Sequence, residues 1–158
     1  MRFLLVDRVD SIIPGTSVSG VKNVTLSDEI LQDHFPDHPL FPGTLIVEAI
    51  AQLAGFLVEC SLNQPGEPRQ RAVLAQIDKA KFHRPCRPGD QLRLSATLSS
   101  TVAGAAQITG EAQIDGERAA QVTLTFVMRQ VDSPALNAQR QSLYRTWTQH
   151  LTLPFDLP

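Results

Sequence analysis

The chain has 158 residues, of which 42% are hydrophobic and 19% charged, and its formal net charge is −2. This is ordinary for one compact domain with room for a real core, and it gives no electrostatic argument for nucleic acid, which asks for a basic face. No apolar run reaches the roughly 18 residues of a membrane span without interruption, because Glu48 and Gln52 break the best candidate. An acid at Asp7 comes too early for the apolar core of a secretory signal. Cys60 and Cys86 make no disulfide framework, so free thiols in a reducing compartment are expected. These features predict a soluble, cytoplasmic, single-domain protein.

In chain order, Leu4 to Ile13 predicts a strand, Pro14-Gly15 a turn, and Thr16 to Thr25 a second extended segment. Ser27-Asp28-Glu29 reads as a short helix start. A proline-dense loop from Asp33 to Gly43 follows. Thr44 is the expected N-cap of a helix from Leu45 to about Leu62, which is apolar nearly all round and therefore reads as buried. Asn63 to Arg71, with Pro65, Gly66 and Pro68, is an exposed loop.

The period then changes to two. Val73, Ala75 and Ile77 alternate, as do Leu92 to Leu98, Ala106 to Ile114 and Val122 to Met128, with turns at Pro88-Gly89-Asp90, near Gly104 and at Asp115-Gly116. This pattern describes an antiparallel meander. One apolar helix followed by three or four one-sided strands has an economical α+β solution, a sheet curled around the helix that buries it. The expected domain spans residues 1–132. Residues 133–158 form a C-terminal extension, helical from about Leu136 to His150, whose Tyr144 and Trp147 suggest packing on the domain or on a partner subunit.

Chemistry concentrates between His34 and Gln52. Glu48 lies one turn into the apolar helix, where a carboxylate is costly unless paired or held protonated; a carboxyl held protonated suits general-acid work. Pro36, Pro39 and Pro42 each fix φ, so the loop that carries His34 and His38 is stiff and can hold an imidazole as a positioned base. Pro42-Gly43 precedes the helix, where free amides and the positive dipole end can polarise a carbonyl oxygen. Base, acid and oxyanion donor together suggest proton removal beside a carbonyl with departure of a protonated hydroxyl. A zinc site from His34, His38 and Glu48 is discounted, because the i, i+4 histidines need a helix that Pro36 and Pro39 forbid.

The run His34-Phe-Pro-x-x-Pro-x-x-Pro-Gly-x-Leu-x-x-Glu-Ala-x-Ala-Gln52 closely resembles the motif of bacterial 3-hydroxyacyl-[acyl-carrier-protein] dehydratases of the hot-dog fold. Phe3 to Val9 and Ile77 to Asp90 look like the same family, so the resemblance covers about residues 2–130. It implies a hydro-lyase without cofactor or metal, acting in fatty acid or related polyene or polyketide biosynthesis. His34 would be the base at C2 and Glu48 the acid at the 3-hydroxyl. The Gly43 amide would donate to the thioester carbonyl, the Leu40 carbonyl would orient the imidazole, and Gln52 could hold the carboxylate. It further implies a homodimer, open to higher assembly, in which His34 of one subunit faces Glu48 of the other.

The implied partner is an acidic acyl carrier protein, for which Lys79, Lys81, Arg84 and Arg87 are candidate contacts, although a solvated strand end explains the same charges. Asp33 replaces the family's usual glycine before the base, and Asp37 stands where glycine is also common; Asp33 is expected to tolerate left-handed backbone. The alternatives are a hot-dog acyl thioesterase, or a non-catalytic acyl-binding or scaffold subunit.

Overall fold

The structure, a computed structural model, describes residues 3–158. Its six strands are β1 (Arg8–Ile13), β2 (Ser17–Asn23), β3 (Gln70–Phe82), β4 (Gln91–Val102), β5 (Ala105–Ile114) and β6 (Glu117–Gln130). Its helices are α1 (Ile30–Asp33), α2 (Gly43–Leu62) and α3 (Pro134–Thr148). The expected helix-in-curled-sheet architecture is present, with six strands rather than three or four in one antiparallel sheet of order β1-β2-β4-β5-β6-β3.

Period two explains the inner face. Leu92, Leu94 and Ala96 of β4, Ile108 and Ala112 of β5, and Val122, Leu124 and Phe126 of β6 are buried against Ile46, Ile50, Leu53 and Leu57 of α2. Gly110 lets the helix come close, since a Cβ there would stand 2.3 Å from the Ile50 side chain. Irregular register at Leu74/Gln76, Ile77/Lys79 and Leu98/Ser100 lets the long strands bend around the helix.

Four local expectations change. The first strand is shorter than Leu4–Ile13: Leu5 and Val6 are buried in extended chain, but the ladder begins at Arg8. The long helix begins at Gly43 with Pro42, not Thr44, in the N-cap position; Leu45 and Ile46 amides both donate to the Pro42 carbonyl, and the proline ring has already fixed φ. Asp33 ends α1, and the left-handed residue of the loop is Asp37, at φ 59°. Finally, α2 is long and apolar enough to cross a membrane by length and composition despite Glu48 and Gln52; in the fold it is the core around which the sheet curls.

The expected tail helix is α3. It is N-capped by Ser133, whose hydroxyl accepts from the Leu136 amide at 3.3 Å, with Pro134 in the first turn. Tyr144 and Trp147 are buried and pack on Phe56 of α2, with ring centroids 4.5 and 6.0 Å away.

Candidate active site

The loop from His34 to Pro42 is folded on itself. Phe35 and His38 exchange backbone hydrogen bonds at 3.1 and 3.0 Å, and the Leu40 amide donates to the His34 carbonyl at 2.7 Å. A bridge between Phe41 and Cys86 ties the loop to the segment ahead of β4. Within this frame the His34 Nδ1 lies 2.9 Å from the Leu40 carbonyl oxygen. A carbonyl can only accept, so Nδ1 carries the proton and Nε2 keeps its lone pair. That is the tautomer of an imidazole set to take a proton.

His34 lines a groove of about 510 Å³ together with Gly43, Phe82, Arg84 and Cys86. Gly43 is the first residue of α2, so the helix ladder leaves its amide without an internal partner. The Phe82 ring lies directly over this glycine, where any Cβ would approach the ring to 2.8 Å. Phe82 itself is half exposed at the groove's rim.

Glu48 is not part of this groove. It sits half-buried one turn further along α2, where its Oε1 accepts from Gln52 Nε2 at 2.9 Å. Gln52 is in turn gripped by the start of the chain: its Oε1 accepts from the Leu5 amide at 2.9 Å, and its Nε2 also donates to the Phe3 carbonyl at 3.0 Å. The structure therefore brings His34, Leu40 and Gly43 together, and Glu48 and Gln52 together, as two separate sets on one chain. His38 is exposed on the loop's outer turn.

The four candidate basic contacts also divide. Lys79, Lys81 and Arg87 are exposed. Arg84 is occupied by the Ile114 carbonyl at 3.1 Å and by Glu117 and Asp115 at 3.3 and 3.5 Å.

A family model described as the FabA-like domain matches residues 1–123. The chain belongs to the FabA-like domain family. Among its relatives, the 3-hydroxyacyl-[acyl-carrier-protein] dehydratase FabZ of Dechloromonas aromatica is 42% identical over 127 residues, which cover 80% of this chain and 88% of that one. The fold matches a chain of the dehydratase heterocomplex ApeI:P from Xenorhabdus doucetiae, at a TM-score of 0.60 and 19% identity, over 80% of this chain and 99% of that one. It also matches a hot-dog-like protein from Thermanaerovibrio acidaminovorans, at a TM-score of 0.61 and 17% identity, over 84% and 93% of the two chains. This is the hot-dog fold. The family match ends ahead of α3, which starts at Pro134.

One constellation escaped the sequence reading. Glu59 and Arg71 form a buried ion pair at 2.6 Å, and the Glu59 carboxylate also accepts from the Ala72 amide at 3.1 Å and from the Tyr144 hydroxyl at 2.8 Å. Arg71 Nε donates to Asn137 of α3 at 3.0 Å. Burial, and then the charge of Glu59, push the Tyr144 phenol well above its ordinary range, so it remains a donor. The available signal was a second acid in an otherwise apolar helix, three turns beyond Glu48.

Proposed function

We propose that this protein dehydrates (3R)-hydroxyacyl thioesters carried on acyl carrier protein to trans-2-enoyl thioesters in fatty acid or related biosynthesis, with each site built from two subunits. The observation that carries the reading is the separation just described: His34 and Gly43 share a groove from which Glu48 of the same chain is missing. In the proposed step His34 Nε2 takes a proton from C2, and the electrons of that bond move onto the thioester oxygen, where the Gly43 amide receives the charge. The enolate then re-forms its carbonyl. The C2–C3 double bond forms as the C3–O bond breaks, and the oxygen leaves as water with a proton from Glu48. Proton return from the imidazolium to the carboxylate resets the pair.

The second subunit has an evident place to bind. Among the described residues β3 has a strand partner on one side only, β6, and from Ala75 onward its residues are exposed. Val73, Ile77 and Phe82 stand 44%, 50% and 53% exposed along it. A free edge carrying large apolar side chains is a template for pairing with a second copy, and a two-fold operator makes both edges serve at once. Such a homodimer brings the α2 of one subunit towards the His34 groove of the other. Lys79, Lys81 and Arg87 supply positive charge for an acidic carrier protein, and Arg84 contributes less because it is already paired. A 1–132 catalytic domain with an added C-terminal helix, working in the cytoplasm, completes the reading.

The test is a spectrophotometric dehydration and hydration assay on carrier-protein thioesters, with His34→Ala and Glu48→Gln beside the wild type. Each variant should lose about 10²–10⁴ of the rate. Variants that match wild type sink the residue assignment, and free acid with free thiol as products would sink the dehydratase reading.

A further inference from the structure

The chain joins the sheet late. Leu5 and Val6 are buried and extended, yet backbone pairing starts only with the Asp7 amide, which donates to the Val21 carbonyl at 2.9 Å. The backbone groups ahead of that point go to one side chain. The Leu5 amide donates to Gln52 Oε1 at 2.9 Å, and the Phe3 carbonyl accepts from Gln52 Nε2 at 3.0 Å. An amide N–H only donates and a carbonyl only accepts, so these two bonds fix which way round the Gln52 carboxamide stands. Turned over, it would set its oxygen against the Phe3 carbonyl and its NH2 against the Leu5 amide, and both bonds would be lost. The remaining N–H of Nε2 is thereby aimed at Glu48 Oε1, 2.9 Å away. Among the described residues no other hydrogen bond reaches the Glu48 carboxyl group.

We propose that the chain start serves catalysis: the Phe3 and Leu5 backbone, acting through Gln52, gives the two oxygens of Glu48 different tasks. The inference rests on the dehydratase reading and deepens it by naming the oxygen that delivers the proton. Oε1 is held as an acceptor by an N–H that is itself pinned from both sides, so the acid's proton sits on Oε2. When the C3–O bond breaks, its electron pair leaves with the oxygen, the Oε2–H bond opens, and that proton completes the departing water. The bond from Gln52 is stronger to the carboxylate that remains than to the acid, so its contribution grows as the proton leaves. Gln52 and the two backbone groups are positioning groups that touch no reacting atom. The same division accounts for the late start of the ladder: the Leu5 amide is a single donor, and strand pairing there would take it from Gln52.

The experiment replaces the Leu5 amide by an ester, through incorporation of the α-hydroxy analogue of leucine, which exchanges N–H for O and keeps the buried side chain. Gln52→Met, similar in length but without the carboxamide, is measured beside it. Turnover of a 3-hydroxyacyl carrier-protein thioester gives kcat and KM for each, alone and combined with Glu48→Gln. Each change alone should lower kcat about tenfold and leave KM within about twofold, because the lost bond matters most where the carboxylate forms. Combined with Glu48→Gln, neither should lower kcat by more than a further factor of about two, because both act through that carboxylate. By NMR, the two Nε2 protons of Gln52 should exchange slowly with solvent in the wild type and faster in the ester variant. Wild-type kcat in either variant, a loss confined to KM, losses that multiply with that of Glu48→Gln, or exchange that is fast in the wild type or unaltered by the ester overturns the proposal and leaves the dehydratase reading standing. If the ester variant does not fold, Gln52→Met and the wild-type exchange rates decide. A wild type that turns over no 3-hydroxyacyl thioester removes the dehydratase reading, and this proposal with it.

Discussion

Mixing two inactive variants should restore activity. In one chain His34 and Gly43 line the groove, whereas Glu48 is held by Gln52 outside it. A site completed across a two-fold axis then takes its imidazole from one subunit and its carboxylate from the other. A heterodimer of His34→Ala with Glu48→Gln therefore contains one site in which both groups are missing and one in which both are intact. Random exchange makes about half of all dimers hetero, each with one working site of two, so the mixture should reach about one quarter of wild-type activity. Each parent alone should retain at most about one hundredth, so the signal stands at least roughly twentyfold above background. The assay is enoyl-thioester absorbance, followed after subunit exchange has been verified by native mass spectrometry. If heterodimers are present and the rate stays at the parental level, the two groups work within one chain and the shared-site argument fails.

Three further outcomes are expected. Ile77→Asp puts a charge on the exposed half of β3, so analytical ultracentrifugation should show monomers with unchanged far-ultraviolet circular dichroism and greatly reduced turnover; an active monomer would refute the interface. Gly110→Ala drives a methyl to 2.3 Å from Ile50, whose side chain is fully buried and cannot swing away, so thermal or denaturant unfolding should register a loss of about 1–3 kcal/mol or more; an unchanged midpoint would mean that the helix is not seated where described. Burial pushes the Cys86 thiol up to about 12 and the Cys60 thiol higher still, so thiolate forms only as pH rises far above 8. At pH 8 both should therefore resist a disulfide reagent in the native protein and react once it is denatured; rapid stoichiometric labelling of the native form would contradict that burial.

The parts of this fold that were legible in the sequence are those written in a local period. Leu92, Leu94 and Ala96 alternate because one side of β4 is core, and α2 is apolar almost all round because sheet encloses it on most sides. The order of the strands was not legible. β3 pairs with β6, about forty residues or more away, and no local pattern encodes that choice. Leu5 and Val6 carry the same apolar signal as strand residues, yet they pack without ladder partners. Asp33 and Asp37 are chemically identical, and whether one ends a helix while the other turns left-handed is decided by the Phe35–His38 pairing around them. At the site, residue types in order identified His34, Glu48 and Gly43 as a group. That Gln52 would be clasped by the backbone at Phe3 and Leu5, 49 and 47 residues away, is a tertiary fact with no local trace.

The bare edge of β3 also matters before assembly. Before the proposed dimer forms, a newly made subunit presents a strand of 13 residues whose outer hydrogen-bonding groups beyond Ala72 have no partner among the described residues, flanked by Val73, Ile77 and Phe82. Such an edge does not distinguish a correct copy from any other extended chain, so it is an aggregation hazard until it is covered. Asp78, Lys79 and Lys81 interrupt its apolar run and act as gatekeepers, making off-register stacking expensive while leaving the two-fold match available. The same lysines proposed to meet an acidic partner would thereby protect the unassembled chain, and replacing them to probe docking will also test how well a subunit stays in solution before the proposed dimer forms.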